Sequence, residues 1–149
     1  MQEKSTNEVE ELLKSMKPGQ LSEFYKENIH NMVDANKAFY YYMKDIVEAK
    51  NIRFKDMYIL AGVSESYGEK IIRMEKHTKS RDLLIRLCIA GHFSIVETNK
   101  ALKLYGMNTL YSKDKRDAAL IVALNNRIYD LFEIDDILEK QGLSKLTVE

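Results

Sequence analysis

The chain has one cysteine, one proline, six glycines and no tryptophan in 149 residues. A single thiol, Cys88, excludes an intramolecular disulfide framework. It lies in the apolar run Leu83 to Ala90 and reads as a small core residue. With proline confined to position 18 and glycine this sparse, nothing resembles a flexible interdomain linker. No apolar run approaches the ~20 residues of a membrane span. The amino-terminal stretch Met-Gln-Glu-Lys-Ser-Thr-Asn-Glu lacks the apolar core of a secretory leader. A cytoplasmic protein with no membrane partner is therefore expected. Charge of one sign is missing too: 23 basic residues balance 23 acidic ones, which leaves no global field to steer the chain to nucleic acid. Residues 38–86 nonetheless carry ten basic against seven acidic groups, a small local surplus.

Chemistry-bearing patterns are equally scarce. His30, His77 and His92 lack metal-ligand spacing, and Asp114, Asp117, Asp135 and Asp136 lack the alternation of a calcium loop. No phosphate-cradling glycine loop, nucleophile elbow or Cys/His pair occurs. The expectation is a protein with no metal, no cofactor and no enzymatic activity. Tyr40, Tyr41 and Tyr42 are consecutive, so on a helix they point three ways and form no stacking platform.

What is present is helical periodicity, and it predicts an all-α chain of seven to nine helices with no sheet. Asn7 is placed to cap a first helix with the stripe Val9, Leu12, Leu13 and Met16, ended by Pro18-Gly19. A second pattern runs through Leu21, Phe24, Tyr25, Ile29, Met32 and Val33. Phe39, Met43, Ile46 and Val47 mark an amphipathic helix over 38–50. The uniformly apolar Leu83 to Ala90 predicts a central, buried helix.

The second half of the chain repeats itself. Ser80-Arg81-Asp82 matches Lys115-Arg116-Asp117, and Glu97 through Leu110 matches Glu133 through Leu146. Each unit reads as an apolar helix, a turn, a capping box, a second helix and a terminal glycine. The boxes are Ser94-x-x-Glu97 and Asp130-x-x-Glu133, and the glycines are Gly106 and Gly142. Two stacked hairpins over 81–105 and 116–141 are expected.

The remaining segment centres on Ala61-Gly62-Val63-Ser64. Phe54, Met57, Tyr58 and Ala61 form one helical face before it, and Tyr67, Ile71 and Met74 another after it. Gly62 suits a left-handed helix end, and Ser64 suits an N-cap. Two helices joined this tightly form a helix-turn-helix.

On these residues, 38–105 resembles the five-helix DNA-binding domain of the lambda-repressor/Cro (Xre-like) family, with helices over 38–50, 54–61, 65–75, 81–90 and 95–105. The stretch from Tyr67 to Asp117, with Glu75-Lys76-His77-Thr78 and Leu104-Tyr105-Gly106, is similar to small bacterial helix-turn-helix proteins with a helical extension. The resemblance implies an amino-terminal helical segment (1–37), a helix-turn-helix domain (38–105) and a carboxy-terminal hairpin packed on it (106–149). It also implies a homodimeric transcription regulator that places the 65–75 helix in the major groove of double-stranded DNA. Ser66, Lys70 and Arg73 would face bases, Lys76, His77, Lys79 and Arg81 would hold phosphates, and Ser64 and Tyr67 would border the contact.

The chain departs from that family's pattern. Its usual small residue before the turn and branched aliphatic after it are here Tyr58 and Gly68, so the Tyr58 ring is expected to fill the space above Gly68. The glutamines that often open the family's second and third helices are here Phe54 and Glu65. Mixed charge on the 65–75 helix, with Glu69 set to pair with Arg73, supports a rival reading. In it the chain is a non-enzymatic adaptor for a protein partner that keeps the shape without DNA contacts.

Overall fold

A computed structural model describes residues 5–28 and 37–147. Among these residues the chain forms nine α-helices, one short 3-10 turn and no strand. The helices are α1 (Thr6–Lys14), α2 (Leu21–Glu27), α3 (Ala38–Ala49), α4 (Phe54–Ala61), α5 (Glu65–Ile72), α6 (Arg81–Ala90), α7 (Ile95–Tyr105), α8 (Lys115–Asn125) and α9 (Leu131–Lys140), with the turn at Pro18–Gln20. The five-helix repressor-type expectation is thereby corrected: the described chain has nine α-helices, and the five that it assigned to one unit also pack against α1, α8 and α9.

Local chemistry explains most of the ends. Ser5, not Asn7, caps α1, its hydroxyl accepting from the Glu8 amide at 3.2 Å. Pro18 does not simply end that helix, because it opens the 3-10 turn that leads into α2. Ile29, Met32 and Val33 of the second pattern lie outside the described residues. Gly62 closes α4 at φ 74°, where any Cβ would be strained. Ser64 caps α5 by accepting from the Tyr67 amide at 3.2 Å. The helix expected over 65–75 stops at Ile72, since the chain turns to φ 62° at Met74.

The core is built around α6, whose residues Leu83 through Ala90 are all buried. A helix apolar on every side must be surrounded: α4, α7 and α9 all pack against it, α4 most extensively. Phe39, Met43 and Val47 of α3, Met57, Tyr58 and Ala61 of α4, and Ile71 and Ile72 of α5 complete the cluster. The amino-terminal helix is tied to this body at Asp45, whose carboxylate accepts from both the amide (3.0 Å) and the hydroxyl of Thr6.

Hairpins α6–α7 and α8–α9 carry matching bonds. Arg81 donates to the carbonyls of Asn108 and Thr109, both at 2.9 Å, and Arg116 donates to those of Ser144 and Lys145, both at 2.9 Å. Asn99 accepts from the Leu110 amide at 2.8 Å, and Asp135 from the Leu146 amide at 2.7 Å. The capping box at Ser94 and Glu97 forms with both bonds. At its counterpart, Asp130 accepts instead from the Phe132 amide, so Glu133 has no part in the cap.

Between the hairpins the bonds are reciprocal. Arg81 makes a two-pronged pair with Asp117 (2.8 and 2.8 Å), and Arg116 makes one with Asp82 (2.7 and 2.9 Å). Helix α6 meets α9 as α7 meets α8. Contacts in which residue i meets j and the equivalent of j meets the equivalent of i define a twofold relation. The hairpins therefore face each other across an approximate twofold axis and are not stacked by translation.

Candidate interaction surface

The residues expected to contact DNA divide into those the fold engages and those it leaves outward. Arg81 is engaged most fully. Its guanidinium binds the Asp117 carboxylate and two loop carbonyls, leaving little of its donor fork for phosphate. Arg73 donates to Glu69 at 3.1 Å and lies 5.1 Å from the centroid of the Tyr40 ring. His77 is exposed but stacks on Tyr105 with ring centroids 4.5 Å apart. Ser64 is committed to its cap. Ser66, Lys76 and Lys79 are exposed, and Lys70 is half-buried. Ser64 and Tyr67 are brought together with Gly62, Thr78, Asp82 and Arg86 around a polar recess of about 320 Å³.

The Arg–Asp pairs are structural electrostatics. Burial pushes the Asp117 carboxyl up, but bonds from Arg81 and from the Tyr111 amide, with the Arg81 and Arg116 charges, outweigh it and hold the group below the usual carboxylate range. Glu97 behaves alike: burial raises it, and the Ser94 cap bonds and Lys50 at 3.0 Å bring it lower overall. The single thiol is inert in this setting, since burial pushes Cys88 up to about 12.

The surface feature that stands out is apolar. Ile59 is 65% exposed, Leu60 61% and Phe132 85%. Single exposed apolar residues are ordinary, but these three line one groove of about 490 Å³ with Leu131, Arg86 and Thr147. The groove is built from the end of α4 and from the start of α9 with the segment that follows that helix. Gly62 turns the chain away at the end of α4 and so leaves Ile59 and Leu60 on the open side. Asp130 starts α9 so that Phe132 projects outward while Ile134, Asp135 and Leu138 turn in. Arg86, buried beneath, joins the two parts by donating to the Ala61 carbonyl at 3.1 Å and to the Leu146 carbonyl at 2.9 Å. A local signal for the groove existed in the sequence, because Ile59 and Leu60 fall off the α4 stripe of Phe54, Met57, Tyr58 and Ala61. That Phe132 would join them depends on how α9 meets α6.

Comparison of the chain with protein-family models, with curated proteins and with solved structures returns no match. The resemblance to the lambda-repressor/Cro family is corrected accordingly: no family model supports it, and the nine described helices exceed the five-helix unit it requires. The helix-turn-helix, DNA-binding, transcription-regulating and homodimeric character that came with that family loses its support with it. No helix of the described residues is long and apolar enough to cross a membrane.

Proposed function

We propose that the protein is a non-enzymatic interaction adaptor whose docking groove is the Ile59–Leu60–Phe132 surface. The supporting observation is the convergence of three large, outward apolar side chains on one groove, with Arg86 bonded to the backbone beneath both of its walls. Leaving them in water is unfavourable, and covering each recovers about 1.5–3 kcal/mol. Only part of that total survives the cost of association, which suits a reversible protein partner. Arg86 holds the groove's two walls in register through the Ala61 and Leu146 carbonyls, so little ordering is left for the binding step.

The test is affinity capture from the native host with three baits: the natural chain, Phe132→Asp and Ile59→Asp. These positions face solvent, so both variants should unfold at the same urea concentration as the natural chain. A protein retained by the natural chain and lost from both variants is the expected result. Capture profiles that do not differ among the three baits would refute the proposal.

A further inference from the structure

The approximate twofold relation between the hairpins has an uneven consequence. One set of equivalent positions is buried in both units: Ile85 and Leu120, Cys88 and Ala123, Ile89 and Leu124, Leu102 and Leu138. A second set of equivalent positions differs. In the first hairpin Leu83, Leu84, Leu87, Ala101 and Tyr105 are buried, because α4 lies along α6 and α3 along α7. Their counterparts in the second hairpin are Ala118, Ala119, Val122, Ile137 and Gln141, and none of these is buried. They line an open groove of about 490 Å³ together with Leu143 and Lys115. One hairpin thus has its outer face covered by two helices, and its twofold mate presents the same face bare.

We infer that the outer face of α8–α9 binds an amphipathic helix of a partner protein, seated as α4 is seated on α6. The covering helices show the shape required: α3 and α4 are 12 and 8 residues long and insert Phe39, Met43 and Met57, all fully buried. The second hairpin has alanines where the first has leucines, so its trough is deeper and calls for bulky side chains from the visitor. Phenylalanine, leucine and methionine at helical spacing would fill it. Charge fixes the orientation. Lys115 is the one charged side chain among the groove's lining residues. It sits at the start of α8, so the partner helix should bring a carboxylate to that end. This names a kind of partner for the adaptor reading, but it rests on a different face from the Phe132 groove.

The experiment uses the full chain as bait for a display library of 20-residue amphipathic helices, with Leu, Phe, Met and Ile varied on one face and Glu and Lys on the other. Enriched helices should lose tenfold or more in affinity on Val122→Asp and on Ala119→Glu, the size of a central hot-spot loss. Phe132→Asp should leave their affinity unchanged. Helices carrying a glutamate near the Lys115 end should weaken further on Lys115→Glu. Added to the natural chain, the same peptides should shift the methyl resonances of Val122, Ile137 and Leu143, which reads the site without any variant. A selection that enriches no helix overturns the inference. So do helices insensitive to Val122→Asp and Ala119→Glu, and helices lost on Phe132→Asp instead, which would leave the adaptor reading intact.

Discussion

A methyl group added at Gly68 should test the packing at the α4–α5 junction. An ideal Cβ there would lie 2.5 Å from Tyr58 Cδ1, 2.8 Å from Cγ and 2.9 Å from Cε1. Contacts this short do not occur in folded proteins, so either the ring or the helix must move. The ring has little room, since Tyr58 is 4% exposed and lies nearly parallel to Phe54 at 6.1 Å. Overpacking of this kind costs about 1–3 kcal/mol. Against it stands the helix preference for alanine over glycine, about 1 kcal/mol. Gly68→Ala should therefore be neutral to destabilising by about 2 kcal/mol in the natural chain. Tyr58→Ala alone should cost about 3–5 kcal/mol through the cavity it leaves. In that background the methyl enters open space, and Gly68→Ala should become stabilising by up to about 1 kcal/mol. Urea unfolding followed by circular dichroism on the four proteins gives the cycle. A change of sign, with a coupling of about 1–3 kcal/mol, is expected. If Gly68→Ala has the same effect with and without the tyrosine ring, the ring does not occupy the space above the glycine and the reasoning fails.

The reciprocal ion pairs give an asymmetric prediction. Arg81→Ala strands Asp117, whose side chain is 8% exposed, while Arg116→Ala strands Asp82, which is 34% exposed. The first should cost about 2–4 kcal/mol and the second nearer 1 kcal/mol, because water solvates the orphaned charge only in the second case. Equal losses of urea stability would show that burial of the aspartate does not set the cost. The pH dependence follows from the lowered pKa values of Asp117 and Glu97. A carboxylate depressed in the folded state contributes stability that is present above its ordinary value and is lost as pH falls through its folded value. The urea midpoint should thus hold near neutrality and fall below the ordinary values of 4.5 for glutamate and 3.8 for aspartate. Asp117→Asn should lower the midpoint at neutral pH and flatten the acid fall; an acid limb as steep as that of the natural chain would contradict the assignment.

Much of the local structure was legible in the residues. The stripes over 54–61, 81–90 and 95–105 predict helices with the observed ends, because caps, a left-handed glycine and 3.6-residue periodicity act within one or two turns. The ring of Tyr58 above Gly68 was also legible, since a large residue before the turn faces the smallest one after it, and the two volumes compensate. Errors arose where a local rule had close competitors. Asn7 and Ser5 both suit a cap, and the hydrogen bond to Glu8 goes to Ser5. Asp130 reached the nearer Phe132 amide and left Glu133 out of the cap. The resemblance from which a DNA-binding site was expected rested on one turn and a row of cations, no family model supports it, and a row of cations does not reveal which of them the fold will use internally.

The amino-acid sequence by itself determined that the chain is helical, that α6 is central, and that a unit of two helices closed by a glycine occurs twice. These are decided by neighbours a few residues apart. Tertiary structure alone decided that Arg81 binds Asp117 across 36 residues, that the hairpins face each other about a twofold axis, and that Phe132 joins Ile59 and Leu60 across the chain. It also decided that one hairpin's outer face is covered while its mate's is bare. Helix periodicity fixes which side of a helix is apolar, but which apolar side is left in water depends on long-range packing, where every helix competes for the same few neighbours.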